Sequence, residues 1–322
     1  RPKSVSCLNS ELLLSQMREV KIMLTEIHFI LTYACNFECD HCFLYCSPKS
    51  KGAFTISQID RVLDETKKIG TVKWITYEGG EPFLYYPLLK EGIRRANAEG
   101  FKVAVVTNAY GANSEEDAEL WLRPLAEAGV SYLNISNDTF HYGDEPENPA
   151  ALASSVAKRL GIEHSPICIE PPKILQSASD AEGKGKPVVG GGAKFRGRAV
   201  EKLSSNLPLR PSSELCKCPY EDLESPYRVH IDPYGNVHVC QGISIGNMWM
   251  TPLSEIASSY RPESHPICGP LIRGGPAQLA KELGVTPESG YIDECHFCYL
   301  VRRSTIDKFK DHLTPEQVYG LD

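Results

Sequence analysis

Residues 35–42 read Cys-Asn-Phe-Glu-Cys-Asp-His-Cys and place Cys35, Cys39 and Cys42 in a C-x3-C-x2-C pattern, directly after an apolar, β-branched run at residues 27–32. Three thiolates on one short loop can all reach one iron–sulfur cube. Because a cubane holds four irons, three protein ligands leave one iron open to a small molecule. The alternative is a zinc knuckle, which prefers four closed ligands, and His41 is poorly placed to be the fourth. The spacing favours the cluster.

The bulk composition limits the possible partners. The chain has 322 residues and a formal net charge of -7, and no basic block typical of a nucleic-acid surface, so we expect no DNA partner. No stretch reaches the ~18 apolar residues that a membrane helix needs. The first residues also lack a secretory signal pattern. These observations predict a cytoplasmic protein of one large domain, or of one domain with an appendage.

Twelve cysteines without an export signal indicate metal binding more than disulfides. Most of them fall in tight groups. Cys46 follows the first group closely, and we interpret the scattered cysteines at positions 7, 168 and 268 as ordinary thiols. The remaining cysteines form a second set, namely Cys216, Cys218, Cys240, Cys295 and Cys298.

Strand and helix patterns alternate from about residue 21 to residue 170, which predicts parallel βαβ units. Pattern alone leaves an open doubly wound sheet and a barrel as alternatives. In both, ligand-binding residues lie on loops at the carboxyl ends of the strands. Polar groups follow each predicted strand in turn: the cysteine loop, Gly79-Gly80-Glu81-Pro82, Asn108, Ser136 with Asp138, and Glu170. Their placement predicts one shared site.

The rest of the chain divides by composition. Residues 1–20 form a short arm with one predicted helix (residues 10–20), and residues 21–170 form the core. Residues 171–215 are rich in Gly and Pro and are either a linker or a substrate-covering lid. In residues 216–322, strands at 227–231 and 236–240 flank hairpin turn chemistry. Short helices are predicted up to residue 260 and at 278–283, followed by a polar tail after residue 298.

The first 170 residues resemble the radical S-adenosylmethionine (SAM) superfamily, through the C-x3-C-x2-C motif and the Gly-Gly-Glu-Pro motif after the second strand. The resemblance implies a partial (β/α)6 TIM-like barrel, here of five to six strands with the sixth unit within residues 171–210. It also implies a 4Fe–4S cluster whose open iron chelates SAM. An external one-electron donor of the flavodoxin or ferredoxin type would reduce the cluster. SAM is then cleaved to a 5′-deoxyadenosyl radical that abstracts a substrate hydrogen.

The same resemblance suggests which residues contact SAM. Gly79 and Gly80 would let the backbone approach the methionyl part, Glu81 would hold the strand edge or the ammonium, and Pro82 would fix the turn. The other expected contacts, each with a plain loop or capping role as its alternative, are His41 over the adenine, Asn108, Ser136, Asp138, Glu170 and His141. No residue that exchanges hydrogen with the substrate is identifiable.

The last third resembles the twitch or SPASM type of auxiliary-cluster domain, through Gly235-x4-Cys240, Ile245-Gly246-Asn247 and Cys295-x2-Cys298. This resemblance implies a second 4Fe–4S cluster held by Cys218, Cys240, Cys295 and Cys298, with Cys216 as the alternative to Cys218. Only one auxiliary cluster is expected, since a further C-x2-C-x5-C-x3-C array is missing. A four-cysteine zinc site is the alternative.

Three functions follow as hypotheses. The first is radical oxidation, crosslinking or epimerisation of a peptide, and the second is radical dehydrogenation of a small sugar or aminocyclitol alcohol. Residues 1–20 are too short for a leader-recognition domain, which lowers the peptide hypothesis without excluding it. The third is a non-catalytic iron–sulfur or zinc carrier, in which Gly-Gly-Glu-Pro would have no role. The sequence leaves the substrate and the oligomeric state open.

Overall fold

The computed structural model describes residues 23–176 and 187–321. Its first half consists of five strands that alternate with helices, close to the predicted positions. The strands are β1 (Glu26–Thr32), β2 (Trp74–Gly79), β3 (Lys102–Thr107), β4 (Tyr132–Ser136) and β5 (Glu163–Ile167). The helices are α1 (Ile56–Ile69), α2 (Tyr86–Ala98), α3 (Glu115–Ala128), the short α4 (Thr139–Tyr142) and α5 (Pro149–Arg159). The predicted α/β fold of a partial barrel is confirmed.

The helix ends follow from capping residues. Thr55 begins α1 with a capping box. Its side chain accepts from the backbone N–H of Gln58, and the Gln58 side chain accepts from the backbone N–H of Thr55. Gly70 ends the same helix in the left-handed conformation. Ser114 begins α3 by accepting from the backbone N–H of Asp117, and Gly129 ends that helix in the left-handed conformation. These caps fix the lengths of the loops that carry the polar groups.

The sheet continues beyond the five units on the far side of β1. Its strand order is β10-β9-β8-β1-β2-β3-β4-β5. Strand β8 (Arg228–Ile231) runs parallel to β1, whereas β9 (Asn236–Cys240) and β10 (Ile243–Asn247) are antiparallel. Within the described residues, the strand that completes a set of six parallel strands therefore comes from the last third of the chain.

The expectation of a sixth barrel unit within residues 171–210 is wrong for the described part of that segment. There, β6 (Lys173–Gln176) and β7 (Pro187–Gly190) form a separate antiparallel hairpin. Pro171 and Pro172 lie between β5 and β6. Because proline lacks a backbone N–H, the pair interrupts sheet pairing at this point. The linker residues 177–186 and the predicted helix at residues 10–20 lie outside the described residues.

Alternate residues of the central strands face opposite sides of the sheet. Ile27, Phe29 and Leu31 of β1 are fully buried in the apolar core. The other face of the same region carries a polar cluster of His28, Glu78 and His230. Glu78 Oε1 lies 2.6 Å from Nδ1 of His230, and Glu78 Oε2 lies 3.3 Å from Nδ1 of His28.

The last third is more helical than predicted. It contains α7 (Leu253–Ser259), α8 (Cys268–Leu283) and α9 (Glu294–Thr305), preceded by the short α6 (Arg198–Lys202). Helix α8 is broken by non-helical backbone at Gly274 and Gly275. Residues 299–305 continue helix α9, and Tyr299, Val301 and Arg302 are buried there. Arg302 donates to the Gln241 carbonyl, between β9 and β10, and to the Tyr319 hydroxyl near the end of the described residues. None of the helices in the described ranges has the length and apolar character needed to cross a bilayer.

Candidate active site

The three thiols of the cysteine loop meet at one cavity. The loop leaves β1, and its fold is held by backbone hydrogen bonds from Cys35 N to the Ser47 carbonyl and from Cys42 N to the Cys39 carbonyl, both 3.1 Å. The cavity has a volume of about 270 Å³. Of the residues expected to bind the cluster or SAM, those in its wall are Cys35, Cys39, His41, Cys42, Gly79, Gly80, Asn108, Ser136 and His141. The structure thus brings most of the predicted site together.

Gly79 and Gly80 are required by the neighbouring backbone. A Cβ on Gly79 would lie 2.4 Å from the carbonyl oxygen of Thr32, and one on Gly80 would lie 2.0 Å from the carbonyl oxygen of Ala34. Gly79 also has a φ of +140°. The two glycines therefore let the end of β2 pack against the chain that leads into the cysteine loop, in addition to lining the cavity.

Glu81 holds the ends of two strands and does not line the cavity. It is fully buried. Its Oε1 accepts from Phe83 N at 2.9 Å and from Thr107 Oγ1 at 2.7 Å, and its Oε2 accepts from Asn108 N at 2.7 Å. Burial raises the pKa of Glu81 to about 7. Of its two predicted roles, holding the strand edge fits this geometry. Pro82 is buried beside it and begins a short 3₁₀ turn.

Asn108 reaches the cysteine loop directly. Its Nδ2 donates to Asn36 Oδ1 at 2.9 Å and lies 3.9 Å from the sulfur of Cys35. On the opposite wall, the ring of His41 packs against the ring of Phe140, with 4.5 Å between the centroids. Burial lowers the pKa of His41 to about 4, so this imidazole is neutral at physiological pH.

Asp138 is turned away from the cavity. It caps α4 by accepting from Phe140 N at 3.1 Å, accepts from Ile169 N at 3.2 Å, and pairs with Nδ1 of His141 at 2.7 Å. Its role in the structure is to orient His141, which does line the cavity. The capping alternative stated for Asp138 therefore fits better than direct contact with SAM.

Glu170 lies outside the cavity wall, contrary to expectation. Its side chain is exposed and pairs with Lys173 Nζ at 2.5 Å. Strand β5 ends at Ile167, so Glu170 is already beyond the strand end, and Ile167 and Ile169 occupy the wall instead.

Several wall residues were missed in the sequence, chiefly Phe37, Phe43, Glu78 and Lys194. Phe37 and Phe43 flank cysteines but carry no chemical signature, and Glu78 stands one position before the glycine motif. Lys194 comes from a segment distant in the chain, and only the tertiary fold returns it to the cavity.

Four cysteines of the last third line a second, smaller cavity. Cys240 ends β9, Cys295 and Cys298 lie in the first turns of α9, and Cys218 lies on the loop that precedes β8. Cys216 does not line this cavity, and its sulfur lies 3.2 Å from the carbonyl oxygen of Ser213. The geometry thus favours Cys218 over Cys216 as the fourth thiol.

The charges around this second cavity suit an anionic thiolate group. Arg196 and Arg302 both line it and are almost fully buried. Arg196 Nη1 lies 3.0 Å from Cys240 Sγ, and its nearest carboxylate, Glu221, is 3.7 Å away. Arg302 donates to neutral oxygens, and no carboxylate of the described ranges pairs with it. Two buried cations beside four neutral thiols would be poorly compensated, whereas metal-bound thiolates would balance them.

The first cavity has a similar counter-charge. Arg198 is 4% exposed, and its guanidinium donates to the carbonyl oxygens of Cys39 and Cys46, both at 2.8 Å. The nearest carboxylate, on Glu38, is 3.9 Å away. The donor set of three thiols beside a buried cation fits a cluster with an overall negative ligand charge.

Comparison with known protein families adds an independent finding. Residues 29–164 match the sequence profile of the radical SAM superfamily. This part of the chain is a radical SAM domain. It contains the cysteine loop, the glycine motif and the strand ends that form the first cavity. Members of the radical SAM superfamily are enzymes that use SAM and a 4Fe–4S cluster, which agrees with the chemistry expected from the sequence.

Two curated relatives match part of the chain. The "Putative peptide biosynthesis protein YydG" of Bacillus subtilis is 29% identical over 131 residues, which is 41% of this chain and 39% of that protein. The "S-adenosylmethionine-dependent nucleotide dehydratase" of Psychrobacter lutiphocae is 26% identical over 126 residues, which is 35% of this chain and 42% of that protein. The chain therefore aligns with less than half the length of these two relatives.

One solved structure resembles the fold over most of the chain. The crystal structure of BtrN in complex with AdoMet and 2-DOIA matches with a TM-score of 0.52 and 17% identity, covering 84% of this chain and 97% of that one. At this level of identity the likeness shows a shared fold alone.

Proposed function

We propose that Cys35, Cys39 and Cys42 hold the 4Fe–4S cluster and that SAM occupies the rest of the first cavity. The observation that carries this proposal is that three thiols line a single cavity together with Gly79 and Gly80. When bound, the reduced cluster supplies the electron that cleaves SAM to methionine and a 5′-deoxyadenosyl radical, which abstracts a substrate hydrogen.

The surrounding residues position this site. Arg198 fixes the carbonyl groups on either side of Cys42 and so sets the direction of the loop. Asn108 ties Asn36 to the end of β3. The neutral ring of His41 offers a flat apolar surface on which a purine can stack. These three side chains exclude water from the cavity or restrain the loop, and none of them takes part in bond breaking or bond formation.

The test is the formation of 5′-deoxyadenosine by anaerobically reconstituted protein that is given dithionite and SAM. We expect the product from the wild-type chain and none from a variant with Cys35, Cys39 and Cys42 all changed to Ala. Absence of product from protein with an intact first cluster would contradict the proposal. The non-catalytic iron–sulfur carrier would then be the remaining hypothesis.

We further propose that Cys218, Cys240, Cys295 and Cys298 hold one auxiliary 4Fe–4S cluster. The two buried arginines that face these thiols support it. In the variant that lacks the first three cysteines, we expect about four irons per chain to remain. One zinc per chain with no iron would favour the structural zinc site and contradict this proposal.

The substrate that we propose is a peptide. Similarity to the "Putative peptide biosynthesis protein YydG" over 131 residues supports it. The geometry also supports it, because among the described residues β5 is the last strand of the sheet and none of its five side chains is fully buried. The adjoining hairpin exposes Ile174 and Leu175. An open strand edge can pair with an extended peptide backbone, and apolar neighbours can hold its side chains.

Short peptides encoded beside the gene are the candidates to assay by mass spectrometry. Loss of two hydrogens would indicate oxidation or crosslinking, and gain of one deuterium from heavy water would indicate epimerisation. Unchanged peptide masses during continued SAM cleavage would contradict the peptide proposal.

A second candidate is dehydrogenation of a small sugar or aminocyclitol alcohol. The observation that favours it is a polar cluster behind the cavity, in which Glu78 lines the wall and contacts His28 and His230. Loss of an electron from a carbon radical that bears a hydroxyl group also releases a proton, and this cluster offers an acceptor for it. Transfer of deuterium from a labelled carbinol carbon into 5′-deoxyadenosine would support this candidate, and its absence across sugars and aminocyclitols would exclude it.

A further inference from the structure

The segment at residues 195–198, Phe-Arg-Gly-Arg, lies between the two cavities. The backbone of Gly197 packs closely against the cysteine loop, because an added Cβ would lie 2.6 Å from both the Cys42 carbonyl oxygen and the Cα of Phe43. Gly197 also has a φ of +63°. The backbone N–H of Arg198 donates to the same Cys42 carbonyl at 3.0 Å. The segment is therefore fastened to the loop at the backbone level.

The side chains of the two arginines point to different sites. Arg198 binds the carbonyl groups of Cys39 and Cys46 in the first site. Arg196 instead enters the wall of the second cavity, where Nη1 lies 3.0 Å from Cys240 Sγ. One short segment thus supplies a buried cation to each site.

Arg196 also touches the first site. Its guanidinium carbon lies 5.1 Å from the centre of the Phe43 ring, within cation–π distance. Phe43 follows Cys42 directly and lines the first cavity. Arg196 therefore contacts both a thiol of the second site and an aromatic ring in the wall of the first.

The charge of Arg196 is only partly offset. It is 4% exposed, its Nε has no hydrogen-bond partner among the described residues, and Glu221 approaches no closer than 3.7 Å. A buried cation with spare hydrogen-bonding capacity is costly unless an anion compensates it. The sulfur of Cys240 is the nearest group that can carry that charge.

We propose that Arg196 is a positioning residue that couples the two sites. Its charge and its N–H···S contact stabilise the reduced, more negative state of the auxiliary cluster, which makes that cluster a better acceptor of the substrate's second electron. Its contact with Phe43 holds the wall of the first cavity at a fixed place relative to the acceptor. This inference rests on the proposed auxiliary cluster.

The experiment uses the full chain with Cys35, Cys39 and Cys42 changed to Ala, so that only the auxiliary cluster contributes to the spectrum. Iron content and the midpoint potential from an EPR-monitored redox titration are measured for Arg196→Gln and Arg196→Lys. Arg303→Gln is the matched control, because Arg303 pairs with Glu201 near the surface. We expect Arg196→Gln to lower the potential, Arg196→Lys to restore most of it, and the control to leave it unchanged.

Each outcome distinguishes an effect of the Arg196 charge on the auxiliary cluster from a purely structural role of this side chain. Loss of iron in Arg196→Gln with retention in Arg196→Lys would support a requirement for the charge. An unchanged potential in both variants, or loss of iron in both, would overturn the inference. The metal content of the parent chain with Arg196 intact is measured before either variant is made. Zinc or no cluster in that chain would contradict the proposed auxiliary cluster itself.

Discussion

Cys46 is the fourth thiol of the first cavity, and its role can be separated from that of its neighbours. Its thiol hydrogen-bonds the sulfur of Cys42, and its backbone N–H donates to the same sulfur at 3.4 Å. Only the first contact is lost in Cys46→Ala. We expect this variant to form 5′-deoxyadenosine within about threefold of the wild-type rate, since the three proposed ligands remain.

Cys42→Ala is the matched comparison and should abolish the product. Both variants are measured after the same anaerobic reconstitution, with iron counted per chain. A loss of activity and iron in Cys46→Ala as complete as in Cys42→Ala would make Cys46 a ligand.

His28 contributes stability that depends on pH. It lies between Glu78, at 3.3 Å, and Glu26, at 3.2 Å. Burial acts to lower the pKa of His28, but the two carboxylates outweigh it and raise the pKa to about 9. Because the folded pKa exceeds the unfolded one, the contribution is fully present below pH 6.5 and is lost as the pH rises to about 9.

The corresponding prediction concerns the free energy of unfolding in urea. Between pH 6 and pH 9, the wild-type chain should lose up to roughly 3 kcal/mol more than His28→Gln, a bound set by the pKa shift. Parallel pH profiles for the two proteins would show that His28 does not change its protonation on unfolding.

At the residue scale, the sequence predicted what local spacing determines. Cys35, Cys39 and Cys42 are close in the chain, so one loop brings them together whatever surrounds it. Glu170 lies outside the cavity wall because strand β5 ends at Ile167, three residues before it. Lys194 and Arg196 could not be assigned, since their neighbours in space are far away in the sequence.

The end of β2 shows how one element shapes the site. In Gly79→Ala the new methyl group would lie 2.4 Å from the Thr32 carbonyl oxygen, and the backbone would keep a left-handed φ. We expect a loss of about 3 kcal/mol or more in the free energy of unfolding, with loss of SAM binding.

Gly161→Ala is the control for backbone conformation alone. Gly161 has a φ of +72°, and an added Cβ would meet nothing within 4 Å. This variant should cost about 1 kcal/mol and leave SAM cleavage intact. Equal destabilisation by the two substitutions would contradict the close approach of β2 to the loop.

At the element scale, existence and order were predictable because caps and periodicity are local signals. Thr55, Gly70, Ser114 and Gly129 are residue types typical of helix ends, and in the structure they lie at the ends of α1 and α3. Strand partners were not predictable in this way. The pattern of residues 227–231 indicates a strand, but nothing in it specifies parallel pairing with β1 in place of a separate hairpin.

At the scale of the whole molecule, eight strands of the described residues form one sheet, in which the first strand is an interior strand. Strand β1 pairs with β2 on one side and with β8 on the other. We expect a chain that ends after residue 215 to expose the apolar edge of β1 and to aggregate or elute as large oligomers in size-exclusion chromatography.

A chain with Ile174 and Leu175 changed to Ser is the control, because both side chains are already exposed on the separate hairpin. It should elute as the wild-type chain does. A truncated chain that is as soluble and as cooperative in unfolding as the full one would show that the barrel core does not need β8.

The pairing of β1 with β8 also has a consequence for the order of events during synthesis. Thr25 Oγ1 donates to the Tyr227 carbonyl, and the two residues are 202 positions apart. The ribosome therefore synthesises the cysteine loop long before Arg198, which binds the loop carbonyls, and before β8, which pairs with the strand that leads into the loop. Contacts of such long range form late and slowly. Iron delivered to the nascent chain would meet three unrestrained thiols, so cluster insertion into the finished site belongs after translation.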